Sequence, residues 1–425
     1  MSFVFVLDTN KQPCNPVHPG EARRLLSSGQ AAVFRRFPFT IILKTVVDQQ
    51  PAPLRLKLDP GSKRTGMVLV DDATGRVVWA AELAHRGQQV RDALESRRAT
   101  RRSRRQRHTR YRAPRFLNRT RPKGWLAPSL ESRIRNVETW VARIRRLAPV
   151  AALSMELVRF DMQLMQDAEI SGVAYQQGEL VGYEVRQYLL EKWHRTCAYC
   201  GATGVPLQIE HIIPRARGGS DRVSNLTLAC EPCNQAKGKQ TAAEFGHLQL
   251  QAKAKAPLKD AAAVNSTRWK LYERLRATGL PVEVGSGGLT QFNRTGRSLD
   301  KTHWLDAACV GRSTPLLLDT RGVRALVIKA TGHGTRQMCR MDKYGFARTG
   351  AKGARVVHGF KTGDMVKAVV TTGSKAGVYV GRVAVRSTGS FNITTERATI
   401  QGLHYRFFRA VQRADGYSYR GHGVG

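Results

Sequence analysis

Two Cys-x-x-Cys pairs, Cys197-Ala-Tyr-Cys200 and Cys230-Glu-Pro-Cys233, constrain this chain more than any other feature. Each pair can form a knuckle, and four thiolates can surround one zinc ion tetrahedrally, stapling the intervening residues into a small module. The gap between the pairs is longer than in a plain zinc ribbon, so further structure is expected inside it. The chain has seven cysteines, an odd number, and opens Met-Ser-Phe-Val-Phe-Val-Leu-Asp without the basic and apolar stretches of a signal peptide. Thiols and metal in a reducing, cytoplasmic compartment are therefore expected rather than disulfides. No run approaches the ~18 apolar residues of a membrane helix, so no membrane is expected among the partners.

The gap carries reactive residue types. Gln208–Ile212 reads as a strand in which Glu210 and His211 point to opposite faces unless a bulge intervenes. Pro214–Ser220 is a basic, glycine-rich loop, Asn225 precedes the second knuckle, and Asn234 stands at the start of an expected helix. Phosphodiester hydrolysis needs a base to activate water and a divalent cation to neutralise charge on the phosphate and leaving oxygen. A histidine with acidic and amide oxygens nearby meets that need.

Charge points to the same substrate class. Lys and Arg number 70 against 32 Asp and Glu, a net charge of +38, while 41% apolar residues suffice for folded domains. Such a surplus attracts a phosphate backbone and gains affinity from released counterions. It is concentrated between Arg97 and Arg121, with Arg97, Arg98, Arg101, Arg102, Arg104, Arg105 and Arg107 in the first half. That half lacks Gly and Pro and reads as one helix with arginine on several faces, where like charges repel unless an anion lies alongside. Arginine's planar fork suits contacts to structured RNA.

At 425 residues the chain exceeds one ordinary core. Residues 1–50 read as a small α+β unit with a helix over 21–28 and a strand pair between 31 and 44 that exposes Arg35 and Arg36. Leu54–Asp59, Gly66–Val70 and Val77–Leu83 read as an antiparallel meander, followed by the arginine helix, an amphipathic helix over 130–147 and an apolar strand, Val150–Met155, ending at Glu156. A strand-like segment, Leu280–Val284, leads to a helix near His303, which places His303 and Asp306 on one face. Beyond residue 340, short strand patterns (Met365–Val370, Val378–Val385, Phe391–Thr394, Leu403–Ala410) suggest a small β-barrel. The carboxylates Asp59, Glu156 and Asp306, if gathered, suit a pair of Mg²⁺ ions. Spacing alone does not separate such a trio from stray acids at strand ends.

The segment from Cys197 to Lys239 resembles the HNH (ββα-metal) nuclease motif through its Glu-His-Ile-Ile-Pro, Gly-Gly, Ser-Asn-Leu, Cys-x-x-Cys-Asn and Lys-Gly landmarks. The resemblance implies His211 as general base, Glu210 and Asn234 as ligands of one Mg²⁺, Asn225 as the residue orienting the motif, and zinc on Cys197, Cys200, Cys230 and Cys233. Leu-Asp59-Pro-Gly-Ser, Met155-Glu156-Leu and His303-x-x-Asp306-Ala resemble the three pieces of a split RuvC nuclease of RNase H-like fold. With an arginine-rich bridge helix after the first piece and the HNH insertion between the second and third, the chain resembles the IscB proteins. These are transposon-associated, RNA-guided relatives of type II CRISPR effectors from prokaryotes. Their Pro-Leu-Met-Pro hallmark reads Pro13-Cys14-Asn15-Pro16 here.

The fold class implied is thus a multidomain α/β chain. It comprises the N-terminal unit (1–50), RuvC-like parts I (51–92) and II (126–184), the bridge helix (93–125), the HNH domain (185–248), a linker with RuvC-like part III (249–335) and a C-terminal β domain beside the target motif (336–425). The catalytic set implied is His211, Asp59, Glu156, His303 and Asp306, with a guide RNA and a double-stranded DNA target as partners and one protein per RNA. A guide-free two-site nuclease acting on structured nucleic acid, or an RNA-binding regulator with inactive nuclease sites, is each compatible with the residues alone.

Overall fold

The structure, a computed structural model, describes residues 3–108, 125–157, 186, 189–190, 192–255, 261–332, 339–351 and 353–420. Arg110, Arg112, Arg115, Arg119 and Arg121 of the basic run, and residues 158–184 of the expected RuvC-like part II, lie outside the described residues. The chain divides into two units, Met1–Met155 with Arg274–Val284 and Leu289–Gly425, and Glu156–Glu273 with Gly285–Gly288.

In the first unit, β1 (Phe5–Leu7), β2 (Ala31–Arg35) and β3 (Thr40–Leu43) form a three-stranded sheet beside helix α1 (Pro19–Ser27). Arg35 departs from the sequence expectation: it ion-pairs with Asp415 at 2.8 Å and is only partly exposed.

The expected meander is present as β4 (Leu54–Pro60), β5 (Arg64–Val70) and β6 (Val77–Ala84), antiparallel in turn. These strands are mostly buried, with Lys57 and Asp59 of β4 among the buried residues and Arg64 of β5 exposed. Helix α2 (Gly87–Gln106) carries the first arginines, and α3 (Pro128–Arg145) lays Ile134, Val137, Trp140, Val141 and Ile144 into the core at helical spacing. Gly87 lets α2 start against α3, since a Cβ there would lie 2.8 Å from the Ser129 carbonyl oxygen. Trp140, fully buried, stacks on Trp79 with centroids 6.2 Å apart and meets Tyr417 edge-on at 5.6 Å.

Strand β7 (Val150–Glu156) joins parallel to β4, pairing Met155 with Leu58. The second unit holds an antiparallel hairpin, β8 (Leu207–His211) and β9 (Leu226–Cys230), with helices α4 (Glu231–Lys237) and α5 (Leu250–Lys255). Its own core gathers Leu189, Trp193, Val223, Leu228 and Leu250. Helix α6 (Ala261–Arg276) and strand β10 (Val282–Gly285) bridge the boundary in sequence, and α7 (Gly287–Thr295) and α8 (His303–Ala308) follow.

Strand β11 (Leu326–Ala330) pairs parallel with β6. The C-terminal segment adds the short pair β12 (Val356–Val357) and β13 (Phe360–Lys361), then β14 (Met365–Val370), β15 (Gly377–Ala384), β16 (Ser390–Thr394), β17 (Thr399–His404), β18 (Phe408–Gln412) and β19 (Tyr417–Arg420). Two expectations are corrected here. The segment expected as one strand over 403–410 is two strands broken by a 3-10 turn at Tyr405–Phe407, the first pairing with β16 and the second with β14 at the opposite edge of the sheet. The expected barrel is an open five-stranded antiparallel sheet in the order β17-β16-β15-β14-β18, with no ladder between its edge strands among the described residues. Register shifts at Met365/Val366 and Phe391/Ile393 bend this sheet over Phe391, Ile393, Val366 and Phe408 without joining its edges.

The last strand does not stay with its neighbours. β19 pairs antiparallel with β11 and completes a seven-stranded sheet in the order β10-β7-β4-β5-β6-β11-β19. Asp415, just before it, binds Arg35 at 2.8 Å and Arg143 at 3.1 Å, while Tyr419 stacks on Phe37.

Candidate functional site

In the second unit, the sulfur atoms of Cys197, Cys200, Cys230 and Cys233 lie within 4.8 Å of one another, and this cluster could bind zinc. The Cys200 and Cys230 sulfurs are 3.7 Å apart. Four sulfurs placed tetrahedrally at about 2.3 Å from zinc are spaced by roughly 3.8 Å, so the cluster suits that ion. Burial pushes the Cys197 thiol up, but backbone N–H groups of Cys200, Cys230 and Tyr199 outweigh it and bring the pKa down to about 6. Burial and the neighbouring thiols push Cys233 up to about 12. Crowded thiols of this kind resist sharing negative charge until a cation joins them.

The cluster closes the ends of the hairpin and helix that carry the other residues. On β8, Gln208 and Glu210 share the face turned toward α4. Asn234 donates through Nδ2 to Gln208 Oε1 at 2.6 Å, and Lys237 donates to Glu210 Oε1 at 2.6 Å from a side chain with 0% exposure. A buried ammonium is tolerable because that carboxylate neutralises it. The Glu210 carboxylate and the Asn234 amide thus meet at one strand–helix junction, and oxygen donors of that kind suit a hard divalent cation.

His211 is on the opposite face of β8. Its Nε2 lies 2.7 Å from Asp221 Oδ1, and Arg215 holds the same carboxylate with Nε and an NH₂ group at 2.8 and 2.6 Å. Asn225 ties the intervening loop shut. Its Oδ1 accepts from the Ile213 N–H, and its Nδ2 donates to the Ile213 and Ser220 carbonyls, each at 2.9 Å. Gly219 has no room for a side chain there, since a Cβ would sit 1.7 Å from the Ile213 oxygen.

In the first unit, the register aligns Asp59 on β4 with Gly66 on β5, and Gly66 with Glu82 on β6. A Cβ on Gly66 would lie 1.8 Å from the His303 carbonyl oxygen, so only glycine lets α8 descend onto this row. Thr302 caps α8 by accepting from the Leu305 N–H, and at the other end Lys57, on the same face of β4 as Asp59, donates to the Val310 carbonyl at 2.9 Å. Burial pulls the Lys57 pKa down to about 8, with Glu283 opposing.

The helix is thereby pinned with His303 Nδ1 3.9 Å from Asp59 Oδ2. That is ion-pair range and too long for a hydrogen bond. The Asp59 carboxylate raises the His303 pKa above its ordinary value against the effect of burial, with Glu82 adding to the rise. Asp306 ion-pairs with Arg294 of α7 at 2.8 Å. Glu156, the last residue of β7, belongs to the second unit, where it ion-pairs with Arg268 at 3.2 Å. Among the described residues, the four cysteines are the one group of three or more His, Cys, Asp or Glu whose ligand atoms lie within 4.8 Å of one another.

The arginine helix α2 bears its charges as expected, with one addition the sequence did not suggest. Arg104 and Arg107 lie over the ring of Phe346 at 5.4 and 5.2 Å, and Arg107 over Tyr344 at 4.2 Å. Gly345 between those rings comes close to Thr100, where a Cβ would meet the threonine methyl at 2.2 Å. Arg97, Arg98, Arg101, Arg102 and Arg105 are the remaining candidates for phosphate. The sequence did not single out Asp221, Gln208 or Gly66, the partner of Asp59 in register, and Lys237 appeared only as part of a landmark.

Residues 4–178 match the family described as RRXRR protein, and residues 197–240 match HNH endonuclease. The run Arg101-Arg102-Ser103-Arg104-Arg105 on α2 spells the former description. No curated protein matches the chain. Among solved structures it is similar to Streptococcus thermophilus Cas9 in complex with the AGAA PAM, with 13% identity over 60% of this chain and 32% of that one and a TM-score of 0.24. It is also similar to the Type II-C Cas9 enzyme from Actinomyces naeslundii, with 18% identity over 43% of this chain and 30% of that one and a TM-score of 0.16. The chain therefore spans about a third of the length of these structures. The match over residues 197–240 places an HNH endonuclease domain in the second unit. No helix among the described residues is long and apolar enough to cross a membrane.

Proposed function

We propose that this chain is an RNA-guided DNA endonuclease of the IscB type, in which the HNH domain cuts the guide-paired strand and a split RuvC-like site cuts the displaced one. The observation that carries the reading is the hairpin–helix of the second unit, which brings together the four thiols, the loop clamp of Asn225, the junction of Glu210 with Asn234 and, on the other face of β8, His211. His211 takes the proton of the attacking water. Glu210 and Asn234 would hold a Mg²⁺, which would supply neutralisation of charge on the phosphate and leaving oxygen. Asn225 fixes the loop that shapes the site, and the zinc on the four cysteines is structural.

The meander β4–β6, with β7 parallel beside its first strand, supports the RuvC-like reading of the first unit. Asp59, Glu156 and Asp306 are the proposed ligands of a pair of Mg²⁺ ions there, with His303 beside Asp59. In this reading the arginines at 97, 98, 101, 102, 104, 105 and 107 engage guide RNA, and transposon association follows from the family. Sequence recognition passes to base pairing, so the protein reads duplex shape and phosphate. Plasmid cleavage by the full chain, purified with and without co-expressed candidate guide RNA, tests this. Cutting confined to guide-matched plasmid is expected; equal cutting without RNA would establish a guide-free nuclease instead.

A further inference from the structure

We infer that Asp221 is the positioning residue of the HNH site, holding His211 so that Nδ1 is the nitrogen that accepts the proton of water. The inference rests on the reading of His211 as general base. An ionised carboxylate only accepts hydrogen bonds, so the 2.7 Å contact takes a proton on Nε2, and in the neutral imidazole that tautomer carries its lone pair on Nδ1. Arg215 secures Asp221 through both of its oxygens, and the bond to His211 shares Oδ1 with the Arg215 Nε contact. The bond from His211, with these two guanidinium bonds, holds the Asp221 pKa below the ordinary carboxylate value.

The loop that delivers Asp221 is itself fixed. Asn225 anchors Ser220, the residue before Asp221, and Ile213, two residues after His211, while Gly219 admits the close approach. The His–Asp contact is thus built by the same clamp that shapes the site. Its placement across the β8–β9 connection, on the face away from Glu210 and Asn234, separates it from the expected cation ligands.

The test has two readouts on the full chain. In guided, single-turnover cleavage, Asp221→Ala is expected to slow cutting of the guide-paired strand about 10–100-fold, the range for losing the partner that orients a functional histidine. DNA affinity, zinc content and cutting of the displaced strand should stay unchanged, and Asp221→Glu should recover part of the rate. In ¹⁵N-histidine NMR of the same chain, with His211 assigned by its loss in His211→Ala, the wild type should show the Nε2–H tautomer and Asp221→Ala a mixture.

Wild-type cutting by Asp221→Ala overturns the inference, as does an Nδ1–H tautomer in the wild type. A tautomer indifferent to Asp221→Ala overturns it too. Absence of any cutting by the wild type, with His211 held as Nε2–H by Asp221, overturns the functional reading while the His–Asp contact stands.

Discussion

Asp59 and His211 lie on different elements of different units, and the proposed division of labour makes their substitutions separable. His211→Ala should abolish cutting of one strand and Asp59→Ala that of the other, resolved on substrates labelled on each strand; loss of both cuts from either change would contradict two independent sites. Lys57 offers a test on stability. Its folded pKa of about 8 lies below the ordinary lysine value of 10.5, so between those values the unfolded chain binds more protons than the folded one. That contribution makes the fold more stable as pH rises from about 8 toward 10.5, and Lys57→Met should flatten the rise, as measured by urea unfolding across that interval. His211, Asn225 and the four cysteines were legible in sequence because their spacing is local and the chemistry of each type is narrow. Lys57 was not, because a lysine inside an apolar strand reads as an outward-facing residue, and only the Val310 carbonyl explains it. Asp221 was equally visible as a letter, but its partner is fixed by loop closure and not by spacing.

The elements most in need of particular residues are α8 and the cysteine-stapled module. Gly66→Ala would drive a methyl group into the His303 carbonyl, an overpacking that costs about 1–3 kcal/mol if the helix shifts to relieve it. Displaced-strand cutting should fall while zinc content and His211-dependent cutting persist; an unaffected displaced-strand rate would show that the approach of α8 is not needed. Serine at both Cys197 and Cys200 should release zinc and unfold the β8–β9 module, and unchanged zinc by elemental analysis would refute the ligand assignment. Helix and strand identities were readable from periodicity here, down to the meander and the start of α8 near His303. Strand β11 and the break at residues 405–407 were not, because strand partners far apart in the chain leave no local pattern. For the same reason the rings of Tyr344 and Phe346 could not be foreseen as the support for Arg104 and Arg107.

At the scale of the molecule, the net charge of +38 favours a polyanionic partner, and in the proposed reading it acts through phosphate contacts. Replacing Arg97, Arg98, Arg101, Arg102 and Arg105 together by glutamine should weaken RNA association and reduce the slope of log affinity against log salt by about four to five, close to one per lost contact. An unchanged slope, measured by filter binding over a salt series, would show that this helix does not lie along the RNA. Composition alone points to the partner class proposed at this scale, while the division into two units and the seven-stranded sheet emerged only from long-range pairing.

The pairing of β19 with β11 has a consequence for biosynthesis. Asp415 and Tyr419 leave the ribosome on the order of tens of seconds after Arg35 and Arg143, at ordinary elongation rates. Until then the two arginines have no shared carboxylate and the outer edge of β11 has no mate. The nascent chain therefore carries an open edge on β11 from the synthesis of Ala330 to that of Tyr417, an interval on the order of ten seconds in which that edge is exposed to pairing with other nascent chains.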